Sequence, residues 1–83
     1  MQVYIRYAPV DSFPFWYISN VEVPLSCDYS AHQYLHKDGT WKDSTGRGPD
    51  ARGFDAAGTF ASSAEAAALA VQYGHEPIVQ DKV

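Results

Sequence analysis

The sequence predicts an α+β fold: a small, mainly antiparallel sheet of four to five strands with one helix from the C-terminal half packed across it. Three observations carry this expectation. Val3, Ile5 and Tyr7 alternate with Tyr4, Arg6 and Ala8, the period of a half-buried strand. His36-Lys37-Asp38-Gly39-Thr40 has the composition of a hairpin turn. Ser62-Ser63-Ala64-Glu65 opens an Ala-rich run with a capping-box pattern.

The elements follow in chain order. The first strand ends near Pro9 and the Asp11-Ser12-Phe13-Pro14 stretch. Residues 15–23 form the most apolar segment and read as a second strand, with Trp16 and Ile18 on one face and Phe15, Tyr17, Val21 and Val23 on the other. Ser19-Asn20 is a bulge or a turn within it. The hairpin allows two registers. A two-residue Asp38-Gly39 loop would set His36 opposite Trp41. A type I turn closed by Gly39 in the left-handed conformation would set Leu35 opposite Trp41, which pairs apolar with apolar and is preferred. Its strands cover about 33–36 and 40–43. Residues 43–58 carry Gly46, Gly48, Pro49, Gly53 and Gly58 and read as a loop, of a length often found at functional positions. Thr59-Phe60 forms a short strand leading into the helix.

In the helix, the Ser62 hydroxyl is expected to accept from the Glu65 amide, and the Glu65 carboxylate to reach back to the Ser62 amide. Ala66, Leu69, Ala70 and Tyr73 make a narrow stripe of buried positions. Gly74 sits where a left-handed C-cap belongs, with His75 beside the terminal carbonyls. Ile78-Val79 reads as a last short strand, placed at a sheet edge because Pro77 lacks a donor.

At 83 residues the chain holds one domain, 1–83, and 46% hydrophobic content excludes a compositionally disordered protein. A core of this size leaves roughly 3–5 kcal/mol of net stability. The lone Cys27 cannot form an internal disulfide, so dimerisation or a bound partner is the expected source of more. Ten Asp plus Glu against six Lys plus Arg give a net charge of −4, which speaks against direct nucleic-acid binding, since phosphate contacts need clustered cations. No apolar run approaches the ~20 residues that span a bilayer, and Met1-Gln2-Val3-Tyr4-Ile5-Arg6 does not read as a signal peptide. With a single cysteine, the expected location is cytoplasmic.

Motifs for catalysis or cofactors find no support in their contexts. Gly46-Arg47-Gly48-Pro49-Asp50-Ala51 matches a dinucleotide fingerprint in letters, but lacks the apolar strand before it and the helix opening within it. His32 and His36 have H-x-x-x-H spacing, yet Gln33 stands where a metalloprotease has Glu, and on a strand the two would lie roughly 13 Å apart. Cys27 has no activating helix N-terminus directly after it. The expectation is therefore a non-enzyme with no cofactor and no metal.

The aromatic residues carry the functional reading. Phe13, Phe15, Trp16, Tyr17, Tyr29, Tyr34 and Trp41 gather in the first half. Strand alternation cannot send all of them to one buried face, so either some are exposed or the second sheet face is covered. Exposed aromatics anchor protein interfaces. Trp16, Tyr17, Tyr34 and Trp41 are the candidate partner-binding residues, assisted by Arg47 and Arg52 on the loop. On this reading Trp16→Ala or Tyr17→Ala weakens binding and leaves the fold intact. In size, acidity and stand-alone build the chain resembles small accessory proteins of phages and mobile elements, including anti-CRISPR inhibitors. The resemblance rests on style and covers no motif. It implies a protein-binding inhibitor of a host defence complex, acting in the host cytoplasm. The alternative is a small-molecule or nucleotide binder using stacked aromatics and the Arg47/Arg52 loop.

Overall fold

The computed structural model describes residues 1–8, 14–22, 33–43 and 56–80. The fold is α+β. Five strands, β1 (Gln2–Ala8), β2 (Phe15–Ser19), β3 (Gln33–Leu35), β4 (Trp41–Asp43) and β5 (Glu76–Val79), form one sheet in the order β4-β3-β2-β1-β5. All neighbours are antiparallel except β1 and β5, which run parallel. A parallel neighbour requires a crossover, and α1 (Ser63–Gln72) lies in the chain that returns to β5 and packs on β1, β2 and β5. β5 is an edge strand, where Pro77 leaves no interior ladder bond unmade.

Alternation along β1 and β2 builds two buried faces. On the helix side Val3 and Ile5 meet Ile18, Leu35, Phe60, Ala66 and Ala70, with Trp16, Trp41 and Leu69 packed partly against them. The opposite face carries a second cluster of Ala8, Phe15, Tyr17 and Tyr34. The register follows from these pairs: Ile5 lies opposite Ile18, Arg6 opposite Tyr17, and Ala8 opposite Phe15. Arg6, 3% exposed, is buried beside this second cluster rather than solvated.

β2 is shorter than its apolar run suggests. The Ser19 hydroxyl donates to the Val21 carbonyl at 2.8 Å and accepts from the Val21 amide at 3.2 Å. That local ring sits where the strand ends: β2 stops at Ser19, Val21 lies outside it and exposed, and Val23 lies outside the described residues.

The hairpin takes the register with Leu35 opposite Trp41. The Gly39 amide donates to the His36 carbonyl, the His36 amide donates to Thr40, and Gly39 has φ +89°. A side chain at Gly39 would also collide with the Tyr73 ring, so both the turn and the packing demand glycine there. Gly58, which ends a short 3-10 turn (Ala56–Gly58), lies flat against the Tyr34 ring, where a Cβ would overlap it.

Ser62 caps the helix as expected, its Oγ accepting from the Glu65 amide at 3.2 Å. The return bond differs by one residue: the Glu65 carboxylate accepts from Ala61 rather than from Ser62. At the other end His75 donates its amide to Ala70 at 2.9 Å and Gly74 donates to Val71 at 3.0 Å, the paired bonds of a Schellman motif, with Gly74 at φ +80°. Ala66 and Ala70 are buried and their small side chains let the helix approach the sheet closely. Tyr73 leaves the expected buried stripe and is 39% exposed. Its ring covers Gly39 and its hydroxyl donates to the Lys37 carbonyl at 3.1 Å, so the helix end clasps the hairpin turn.

Tyr17 is 1% exposed, and removing its ring would open a large cavity. Tyr17→Ala is therefore expected to cost about 3–5 kcal/mol, most of the stability of a domain this size. Tyr17→Phe keeps the ring volume and should remain folded. Urea denaturation followed by circular dichroism checks both; a folded Tyr17→Ala protein of near wild-type stability would contradict the placement.

Candidate binding groove

Trp16 stands opposite Tyr7 on β1, and on its other side meets Phe60 in an isolated antiparallel bridge. Each donates its amide to the other's carbonyl at 2.9 Å. The chain then turns through Ala61 and Ser62 into α1, so this bridge fixes where the helix starts on the sheet. Nearby, the Lys37 amide donates to the Ala57 carbonyl at 2.6 Å and pulls the hairpin turn toward the same region. Between the turn and the helix lies a groove.

The groove has two hollows that share Lys37, Phe60 and Glu65 in their lining. One, of about 410 Å³, is lined by Lys37, Phe60, Glu65, Ala68, Leu69 and Gln72. The other, of about 450 Å³, adds Pro14, Phe15, Thr59 and Ala61 to the same Lys37, Phe60 and Glu65. Phe60 is largely buried beneath, and the Lys37 ammonium sits over its ring at 5.4 Å from the centroid. The exposed lip is formed by Lys37, Glu65, Ala68 and Gln72, with Leu69 half-buried beside them. Such a surface offers apolar contact with one charge of each sign.

The aromatic residues expected at a binding surface are distributed differently. Tyr17 and Tyr34 are 1% and 4% exposed and belong to the buried second face. The reason is geometric: both faces of β2 are covered, so alternation hides Tyr17 as surely as it hides Ile18. Trp16 and Trp41 lie on the helix side and are half-buried. The Trp16 ring tilts against Tyr7 at 5.1 Å. The Trp41 ring meets His75 edge-on at 5.8 Å, joining β4 to the residue that precedes β5, from opposite ends of the strand order. The four aromatics thus do not form one exposed patch. Arg47 and Arg52, with Cys27, His32 and the glycine-rich motif, lie outside the described residues. β3 covers Gln33–Leu35 rather than the expected 33–36, so His36 lies just past the strand, buried and tilted against Tyr34.

Among the described residues no group of three His, Cys, Asp or Glu side chains is placed to hold a metal. No helix among them is long and apolar enough to cross a membrane. Compared with known proteins, the chain matches no family model, no curated protein and no solved structure.

The groove residues Lys37 and Phe60 have only weak signals in the sequence. Glu65 and Leu69 are visible as cap and stripe, but nothing local shows that the turn folds back over Phe60. That depends on the Lys37–Ala57 and Tyr73–Lys37 bonds, which join distant segments.

One titration reports on the turn that carries Lys37. The Thr40 hydroxyl donates to the Asp38 carboxylate at 2.6 Å and the Thr40 amide donates to it at 3.0 Å. These bonds, the hydroxyl first, hold the Asp38 carboxyl below its ordinary value. A lowered folded value means that the contribution is present above the ordinary carboxylate range and is lost as pH falls through the folded value. An NMR titration should give Asp38 a midpoint below that of an unfolded-chain Asp, and Thr40→Val should raise it. An unchanged midpoint in Thr40→Val would remove the Thr40 hydroxyl as the main cause and leave the shift to the Thr40 amide.

Proposed function

We propose that the protein is a non-catalytic protein-binding module whose contact surface is the groove between the hairpin turn and α1. The observation that carries this is the pair of hollows sharing Lys37, Phe60 and Glu65, the first of them open along a helix face lined by Ala68 and Leu69. A rim of polar groups around an apolar centre is the anatomy of a protein contact. The role follows the resemblance to small phage-encoded accessory proteins: occupancy of a host protein's surface, with inhibition by obstruction rather than chemistry. The contact surface proposed here replaces the aromatic sheet face, because Tyr17 and Tyr34 are buried.

A small-molecule ligand is the second reading. The hollows, at about 410 and 450 Å³, match the volume of ordinary ligand sites, roughly 300–1,000 Å³. A ligand mass retained in native mass spectrometry would favour it.

Ala68 is exposed and lines the first hollow, so Ala68→Arg fills the groove without touching the core. In affinity capture from bacterial lysate, the wild-type protein should retain a stoichiometric partner and Ala68→Arg should lose it, with an unchanged thermal melt. A bare wild-type bait, or a partner held equally by Ala68→Arg, would contradict the groove as the contact surface.

A further inference from the structure

The groove's two charges are not equivalent. Glu65 is committed to the helix start, where its carboxylate accepts from the Ala61 amide at 3.2 Å and faces the positive end of the helix dipole. Lys37 is held differently. Its amide and carbonyl are tied to Ala57 and Tyr73, which fixes its backbone, and its ammonium rests over the Phe60 ring. Among the described residues no carboxylate pairs with that ammonium. The ring orients the cation but leaves its N–H donors for an anion approaching from solvent. Beside it, Ala68 and Leu69 form the apolar wall of the first hollow.

We infer that the groove selects a partner segment that presents a carboxylate beside an apolar side chain. The apolar side chain lies against Ala68 and Leu69, and the carboxylate pairs with Lys37. This rests on the groove being the contact surface. The chain's net charge of −4 opposes an acidic partner at long range. At physiological salt that repulsion is screened beyond about 8 Å, so the contact pair decides the preference.

The test uses the full-length, isotope-labelled protein at physiological ionic strength. It is titrated with three short blocked peptides that share a leucine followed by Glu, Gln or Lys. The Glu peptide should bind most tightly, by about three- to fivefold over the Gln peptide, the size of a solvent-exposed ion pair. The amide shifts should centre on Lys37, Ala68 and Leu69. Lys37→Gln should abolish the preference, so that the Glu and Gln peptides bind this variant equally. If the Glu and Gln peptides bind the groove of the wild-type protein equally, the carboxylate selection is wrong and the groove reading stands. If none of the three moves the groove amides, both fall. The wild-type comparison decides the matter even if Lys37→Gln does not fold.

Discussion

The reciprocal backbone bonds between Trp16 and Phe60 are the constraint on which the rest of the structure depends. In an antiparallel ladder, alternate residues turn their polar groups away from a given neighbour. Trp16 lies opposite Tyr7 but exchanges both its bonds with Phe60. Without Phe60, a half-buried residue in the middle of the sheet would carry an unpaired amide and carbonyl, an expensive arrangement. The bridge solves that problem. It also anchors the segment that enters the helix, places Phe60 in the helix-side core and sets the floor of the groove.

A second tie closes the other end of the helix. Tyr73 covers Gly39 and donates to Lys37, while His75 meets Trp41. The helix is thus fastened at its start to β2 and at its end to the β3–β4 hairpin. Because α1 contributes mainly alanines to the core, its hold on the sheet owes more to these terminal contacts and to close approach than to large apolar side chains. Lys37 takes part in both regions, which is why a turn residue becomes the centre of the candidate site.

Much of this was legible from local patterns. The β1 alternation, the Leu35–Trp41 register, the Ser62 cap and the Gly74 terminus all arise from residues close in sequence, where spacing and turn chemistry decide the outcome. The edge position of β5 was legible from Pro77 for the same reason. The burial of Tyr17 and Tyr34 was not, because alternation says which residues share a face and cannot say what covers that face. Nor was the groove, since Phe60 and Lys37 meet only through bonds between distant segments. Tyr73 illustrates the limit within one helix: its spacing continues the buried stripe, but the stripe runs past the sheet's core and the ring finds a turn glycine instead.

Native-state hydrogen exchange of the Trp16 and Phe60 amides tests the central constraint most directly. Both should be protected to nearly the same degree as the amides of the β1–β2 ladder, since they close through the same sheet. Exchange of either at close to the unprotected rate, while the β1–β2 ladder stays protected, would show that the helix start is not fastened to β2, and the groove would lose its floor.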